Sequence, residues 1–253
     1  MFNMKLAAKV SSILRSKFRI LRDRYAGKII QIERKTQQHG SCYGGWTLDP
    51  DPLGKESIIY SFGIGEDASF DRSVIDYFGA EVFAFDPTPR SITWVRSQEW
   101  PEQFNFFPVG IANHDGLQNF FPPENPAFVS YSFLKPEIDQ REEPIRVEVR
   151  RLSSLAERLG HGYIDVLKLD IEGAEYQVIP DILHQGTVII GQILVEFHDV
   201  FPQIPARKTR KMIHLLNKSG YRIFSISPKG SEISLIRIDE YPPQSGKSNK
   251  TRC

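Results

Sequence analysis

A mostly parallel α/β sheet closed by an antiparallel edge strand is the fold this sequence predicts. Three observations lead there. Residues 164–175, IDVLKLDIEGAE, run from a short apolar strand into a helix start and bring Lys168, Asp170, Glu172 and Glu175 to that junction. Upstream, residues 61–71, SFGIGEDASFD, form a second strand–glycine–helix passage. Strand and helix patterns then alternate until the end, where two strands follow one another across a Ser-Pro-Lys-Gly turn. Alternation of that kind builds a parallel sheet, and a terminal hairpin adds an antiparallel edge.

The elements follow from pattern. Residues 39–54, HGSCYGGWTLDPDPLG, are rich in Gly and Pro and read as an irregular loop. Ser57–Phe62 is a compact buried strand. Glu66–Phe78 places Phe70, Val74, Ile75 and Phe78 on one helical face. Glu81–Phe85 is a second strand ending at Asp86-Pro87, Ser91–Gln98 a short helix, and Phe104–Val109 a third strand. Leu117–Phe121 and Ile145–Leu152 read as extra strands around a Pro-rich insertion, 122–144. Ser153–Leu159 is a helix, Ile164–Asp170 the fourth main strand and Ala174–His184 its following helix. Val188–Phe197 is a continuous apolar strand, Ala206–Ser219 a helix stopped by Gly220, and Tyr221–Ile226 with Glu232–Ile238 the closing pair.

A chain of 253 residues with 40% hydrophobic and 11% aromatic residues can bury an ordinary core. The net charge of +1 hides an asymmetry: residues 1–35 hold ten Lys/Arg against two Asp/Glu, leaving 22 against 29, or −7, for the rest. The body therefore lacks a basic footprint for nucleic acid. Residues 1–38 form a basic extension in which Val10, Ile13, Leu14, Phe18, Leu21 and Tyr25 recur at helical spacing. Such a helix packs on its own domain or makes weak contact with an anionic membrane surface. Residues 39–240 make the main domain and 241–253 a polar, flexible tail. Two cysteines, Cys42 and Cys253, give no disulfide framework, and no membrane span or signal peptide is read. The expected setting is cytoplasmic.

Gly63 and Gly65 sit between a strand and a helix, where backbone N–H groups face a ligand. Asp86 ends the next strand at the spacing of an acid that hydrogen-bonds ribose hydroxyls. Gly63, Gly65 and Ala68 also satisfy the dinucleotide fingerprint, so an NAD enzyme is one reading. Glu66 and Asp67 at the helix start repel pyrophosphate but tolerate a sulfonium, which favours S-adenosylmethionine.

IIYSFGIGEDASF, VFAFDPTP and, most specifically, VLKLDIEGAEYQVI resemble the FkbM family of S-adenosylmethionine-dependent methyltransferases; ILVEFH and GYRIFSIS add to the likeness. The resemblance spans about residues 55–240. It implies a Rossmann-like class I methyltransferase fold with seven strands, and O-methyl transfer to sugars or natural products. It also implies a cofactor site at Ser61, Gly63, Gly65, Glu66, Asp86 and Asp170. Where the family usually has an acid two residues before the first glycine, this chain has Ser61; Ser-Phe-Gly with an upstream Gly44-Gly45-Trp46 is closer to a methyltransferase-like branch. The cofactor's ammonium group then needs another partner, Glu66 or Asp170.

The main expectation is therefore an O-methyltransferase acting on a hydroxyl of a small molecule or glycan. The rival is a degenerate methyltransferase domain that serves as an interaction module, which Ser61 favours. For catalysis, Asp170 orients the acceptor or acts as base. Glu196 and His198, two residues apart, share a face of the neighbouring strand, and His198 suits a base at neutral pH. No metal is assigned, although Asp170, Glu196 and His198 are of types that can hold a divalent ion. Lys168 is expected to orient Asp170, and Cys42 to be a small buried residue. The remaining histidines, among them His39 and His161, are expected on the surface or in loops.

Overall fold

The computed structural model describes residues 32–122, 131, 143–199 and 204–238. The basic helix expected within 1–38, most of the insertion 122–144 and the tail 241–253 lie outside these residues. In chain order the elements are β1 (Gln37–His39), β2 (Trp46–Leu48), β3 (Ile58–Phe62), α1 (Ser69–Phe78), β4 (Glu81–Phe85), α2 (Pro89–Arg96) and β5 (Phe104–Phe107). They continue with β6 (Gly110–Ile111), β7 (Gly116–Phe120), β8 (Ile145–Arg150), α3 (Leu152–Leu159), β9 (Tyr163–Leu169) and α4 (Glu175–Gln185). β10 (Ile189–Glu196), α5 (Ala206–Lys218), β11 (Tyr221–Ile226) and β12 (Glu232–Arg237) complete the chain.

Seven strands form one sheet in the order β11-β12-β10-β9-β3-β4-β5. β10, β9, β3, β4 and β5 pair in parallel. β12 alone runs against its neighbours, β10 and β11. The antiparallel strand therefore stands one place in from the edge: the terminal hairpin folds back so that its last strand, the more buried of the two, pairs with buried β10.

Strand alternation divides the core into two layers. Tyr60, Phe62, Phe85, Leu167, Leu169 and Val195 point to the side covered by α3, α4 and α5. Ile59, Val82, Ala84, Val166 and Leu194 point to the side covered by α1 and α2. Central strands apolar on both faces are what a covered parallel sheet requires. Ser61 and Lys168 share parity with Ile59 and Val166 and so belong to the α1 side, where they are register partners.

α1 ends at Gly79, whose left-handed φ of 70° lets its N–H return to the Ile75 carbonyl. α2 begins with Pro89 in its first turn, where a missing N–H costs nothing. The stretch expected as irregular loop contains β2, which pairs with β1 and buries Trp46 and Leu48 against the α1 side. Backbone pairing through the glycine-rich turn overrides the loop composition there. β6, β7 and β8 make a small separate sheet, and Ile32 N–H donates to the Ile223 carbonyl, which ties the described N-terminal residues to β11. Among the described residues no helix is long and apolar enough to cross a membrane.

Candidate active site

The carboxyl ends of β3, β4 and β9 surround a cavity of about 440 Å³. β3 is where the strand order reverses direction, the place in an open α/β sheet where ligands bind. Gly63, Gly65, Glu66, Asp86 and Asp170 all line this cavity.

The glycine turn is fixed from several sides. Gly63 and Gly65 have φ of 78° and 58°, conformations open to glycine at little cost. Gly63 N–H donates to the Phe85 carbonyl, and Gly65 N–H donates to Asp86 Oδ2 at 2.9 Å. Asp86 Oδ1 accepts from Thr88 N–H at 2.9 Å and from the Thr88 hydroxyl at 2.6 Å. A carboxylate offers about four acceptor directions. Three are used internally, so Asp86 both shapes the turn and keeps capacity for one ligand hydroxyl. Asp86 is 5% exposed and belongs to the framework more than a strand-end position implied.

Glu66 is held by Arg90 through both carboxylate oxygens, each at 2.9 Å. Asp67 accepts from the Ser41 hydroxyl and from Ser69 N–H. Burial alone lifts the Asp67 carboxyl, but these hydrogen bonds outweigh it and hold the group below its ordinary value. The described lining carries five carboxylates, Glu66, Asp67, Asp86, Asp170 and Glu172, against one guanidinium, Arg90.

Ser61 is not brought to the cavity. It is fully buried, and its hydroxyl stands beside Asp71 of α1. Lys168 likewise turns away from Asp170. Its ammonium donates to the carbonyls of Phe62 and Gly63 at 3.3 and 2.9 Å and lies over the Trp46 ring. Lys168 is therefore a support beneath the glycine turn rather than an orienter of Asp170. The reason is parity: β9 ends at Leu169, and Asp170 leaves the pleat instead of continuing the Lys168 face.

Beside the cavity, Asp170, Glu172 and Glu175 converge on His198. Nε2 of His198 is 3.7 Å from Asp170 Oδ1 and 3.4 Å from Glu172 Oε2. Nδ1 is 3.2 Å from Glu175 Oε1, an oxygen that also accepts the His198 backbone N–H at 2.8 Å. Glu175 is fully buried, and its Oε2 accepts Gly173 N–H. Glu172 is the one described non-glycine residue with positive φ, 49°. That left-handed turn costs about 1–2 kcal/mol and directs its carboxylate to the imidazole.

Burial opposes the imidazolium, but the Glu175 hydrogen bond and the charges of Glu175, Glu172 and Asp170 raise His198 to about 9. At neutral pH such an imidazole already carries its proton. The three carboxylates around His198 thus favour its protonated form, where the sequence reading expects a base at neutral pH. Glu196 is pushed up to about 7, first by burial and then by Asp170; its Oε1 accepts the Ser231 hydroxyl at 3.2 Å. Neither Glu196 nor His198 lines the cavity. Asp170 is the member that connects the two.

Pattern reasoning missed Glu175 as the buried anchor of His198, although an acid in the first turn of an apolar helix was a signal. It missed Thr88 and Arg90, whose roles depend on contacts between separate elements. Cys42 is exposed, in the turn between β1 and β2. His39 is buried, accepted between Ser73 and the rings of Tyr77 and Phe78. His161 meets the Tyr60 hydroxyl at 2.8 Å.

The model of the methyltransferase FkbM domain matches residues 60–223, from β3 into β11. Probable methyltransferase-like protein 24 of Rattus norvegicus is 29% identical over 150 residues, 58% of this chain and 34% of that protein. The 2-O-methyltransferase NoeI of Sinorhizobium fredii is 27% identical over 143 residues, 51% of this chain and 57% of that protein. The chain thus spans about a third of the former and little more than half of the latter. Among solved structures, the Methanococcus jannaschii fibrillarin pre-rRNA processing protein aligns with a TM-score of 0.43 and 11% identity, covering 74% of this chain and 68% of that one. With the family match running through the glycine turn, Asp86 and the Asp170 junction, the chain belongs to the FkbM family of S-adenosylmethionine-dependent methyltransferases.

Proposed function

We propose that this chain binds S-adenosylmethionine in the cavity at the ends of β3, β4 and β9 and methylates a hydroxyl of a small-molecule or glycan acceptor. The observation that carries the reading is the charge of the cavity lining, five carboxylates to one guanidinium. Such a lining attracts a ligand bearing a sulfonium and an ammonium, and it repels the pyrophosphate of a dinucleotide. The volume of about 440 Å³ suits a nucleoside-sized ligand.

The fit is residue by residue. Asp86 retains one acceptor direction for a ribose hydroxyl. Glu66 is committed to Arg90, so an ammonium group is met by the rest of the anionic wall, Asp67, Asp170 and Glu172. The bound donor supplies a methyl group already activated by its positive sulfur. What remains for the protein is alignment of the acceptor oxygen and removal of its proton. Asp170, on the cavity wall with His198 behind it, orients the acceptor. The likeness to NoeI, a 2-O-methyltransferase, favours a hydroxyl acceptor.

Calorimetry with S-adenosylmethionine, S-adenosylhomocysteine and NADH is the direct test. Heat with the first two and none with NADH is expected. NADH binding without either sulfur ligand would overturn the reading. Methyl transfer from labelled cofactor to a panel of hydroxylated acceptors then separates an enzyme from a binding module.

A further inference from the structure

We propose that Asp170, Glu196 and His198 form a site for one divalent transition-metal ion of the Mn²⁺ class. One ligand atom from each of the three lies within 4.8 Å of the others. Small side-chain rotations bring such atoms to the distance of about 2.1 Å that first-row and similar divalent ions require.

Two further observations point to a cation. The first is the way His198 is held. The buried Glu175 takes the His198 backbone N–H and faces Nδ1, so the ring is fixed with Nε2 toward Asp170. A carboxylate behind an imidazole is the arrangement that sets tautomer and direction in metal-binding histidines. Glu196 is oriented in the same manner by the Ser231 hydroxyl. The second is charge. Among the described residues no lysine or arginine pairs with Asp170, Glu175 or Glu196, and Lys168 donates to backbone on the other side of the sheet. His198 is the one basic group described against Asp170 and Glu175; carboxylates that outnumber it are costly to bury, and a dication offsets that cost.

The donor set decides the class of ion. Two carboxylates with an imidazole suit Mn²⁺ and its first-row neighbours better than Ca²⁺, which prefers oxygen alone, and no thiolate is present to select a softer metal. The ion takes the place of the proton on Nε2, which leaves to solvent. Asp170 links the site to the cavity, so an acceptor hydroxyl coordinated there loses its proton more readily. That use of the ion rests on the methyl-transfer reading; binding of the ion does not.

The test is titration of the full chain with Mn²⁺ alone, reading the free-ion signal by electron paramagnetic resonance. One ion per chain is expected, with affinity lowered about 10–100-fold or more in Glu196→Gln and His198→Asn. S-adenosylhomocysteine calorimetry on the same samples reports an intact cavity. Paramagnetic broadening of the His198 imidazole resonances needs no variant and is expected at substoichiometric Mn²⁺. A wild-type protein that leaves Mn²⁺ free, or that binds it equally well in both variants without broadening His198, overturns the site. Mn²⁺ binding without S-adenosylhomocysteine heat would remove the cofactor reading and leave the ion site standing.

Discussion

Gly63 and Asp170 meet so closely that a Cβ on Gly63 would stand 1.7 Å from the Asp170 carbonyl oxygen. The contact joins the ends of β3 and β9, and Asp170 N–H donates to the Phe62 carbonyl beside it. Two loops that each carry cavity residues are thereby fixed in one geometry, and only a residue without a side chain permits it.

Gly63→Ala tests this against a matched control. Gly160 shares the φ of 78°, but a Cβ there meets nothing within 4 Å. Gly160→Ala should therefore cost only the left-handed backbone term, about 1 kcal/mol. Gly63→Ala adds a clash with backbone that has to move, for a total of about 2–4 kcal/mol. Urea unfolding of both variants measures the difference. Equal losses would mean that the β3–β9 junction yields freely and does not fix the site.

A second prediction concerns the support under the turn. Lys168 is 4% exposed and Asp71 is 1% exposed. Burial pushes the Asp71 carboxyl up, while the Lys168 charge and the Ser61 hydroxyl oppose the shift. Lys168→Met removes two hydrogen bonds to carbonyls and leaves Asp71 without its counter-charge, which should cost about 3–5 kcal/mol. Lys168→Met with Asp71→Asn should recover about 1 kcal/mol or more relative to the sum of the single variants. Simple additivity in the unfolding free energies would show that the two charges do not communicate.

His39 provides a pH signature remote from the cavity. Burial holds its imidazole below the ordinary value of 6.5, despite the Ser73 hydrogen bond. The folded chain thus keeps His39 neutral, whereas the unfolded chain takes up a proton near 6.5. Stability is complete above that pH and declines as pH falls through the folded value. His39→Gln cannot titrate. Melting temperatures followed from about pH 7.5 to 5 should fall more steeply in the wild type than in His39→Gln. Parallel curves would remove His39 as a source of acid sensitivity.

These residues also show what the sequence made legible. β4 and β11 were readable to the residue, because short runs rich in β-branched and aromatic residues and bounded by turn residues have few alternatives. The junctions at Gly63, Gly65, Asp86 and Asp170 were readable for a different reason: backbone geometry at strand ends constrains residue type locally. The divergence of Asp170 from Lys168 was not, since it depends on where β9 stops, and one residue of strand reverses a side chain. Nor was the Glu175–His198 contact, which joins residues separated by a helix and a strand. β1 and β2 stayed hidden because glycine-rich composition describes the turn between them and not the pairing of its flanks.

The last prediction addresses the rival reading, a degenerate domain, which rested on Ser61. The Ser61 hydroxyl faces α1, not the cavity. Ser61→Ala should then leave S-adenosylmethionine affinity within about twofold, at a stability cost of about 1 kcal/mol for the lost contact near Asp71. Asp86→Asn should behave in the opposite sense. It preserves volume but takes charge from an acceptor shared by Gly65, Thr88 and the proposed ribose hydroxyl. One charge-assisted hydrogen bond at about 1.5–3 kcal/mol implies a loss of roughly tenfold or more in affinity. Both variants must first show cooperative unfolding, since Asp86 also supports the turn. Calorimetry then decides: an affinity loss in Ser61→Ala with none in Asp86→Asn would move the ligand away from the β4 end. The expected pattern means that an acid at position 61 is dispensable for this cavity, because Asp67, Asp170 and Glu172 already make its wall anionic.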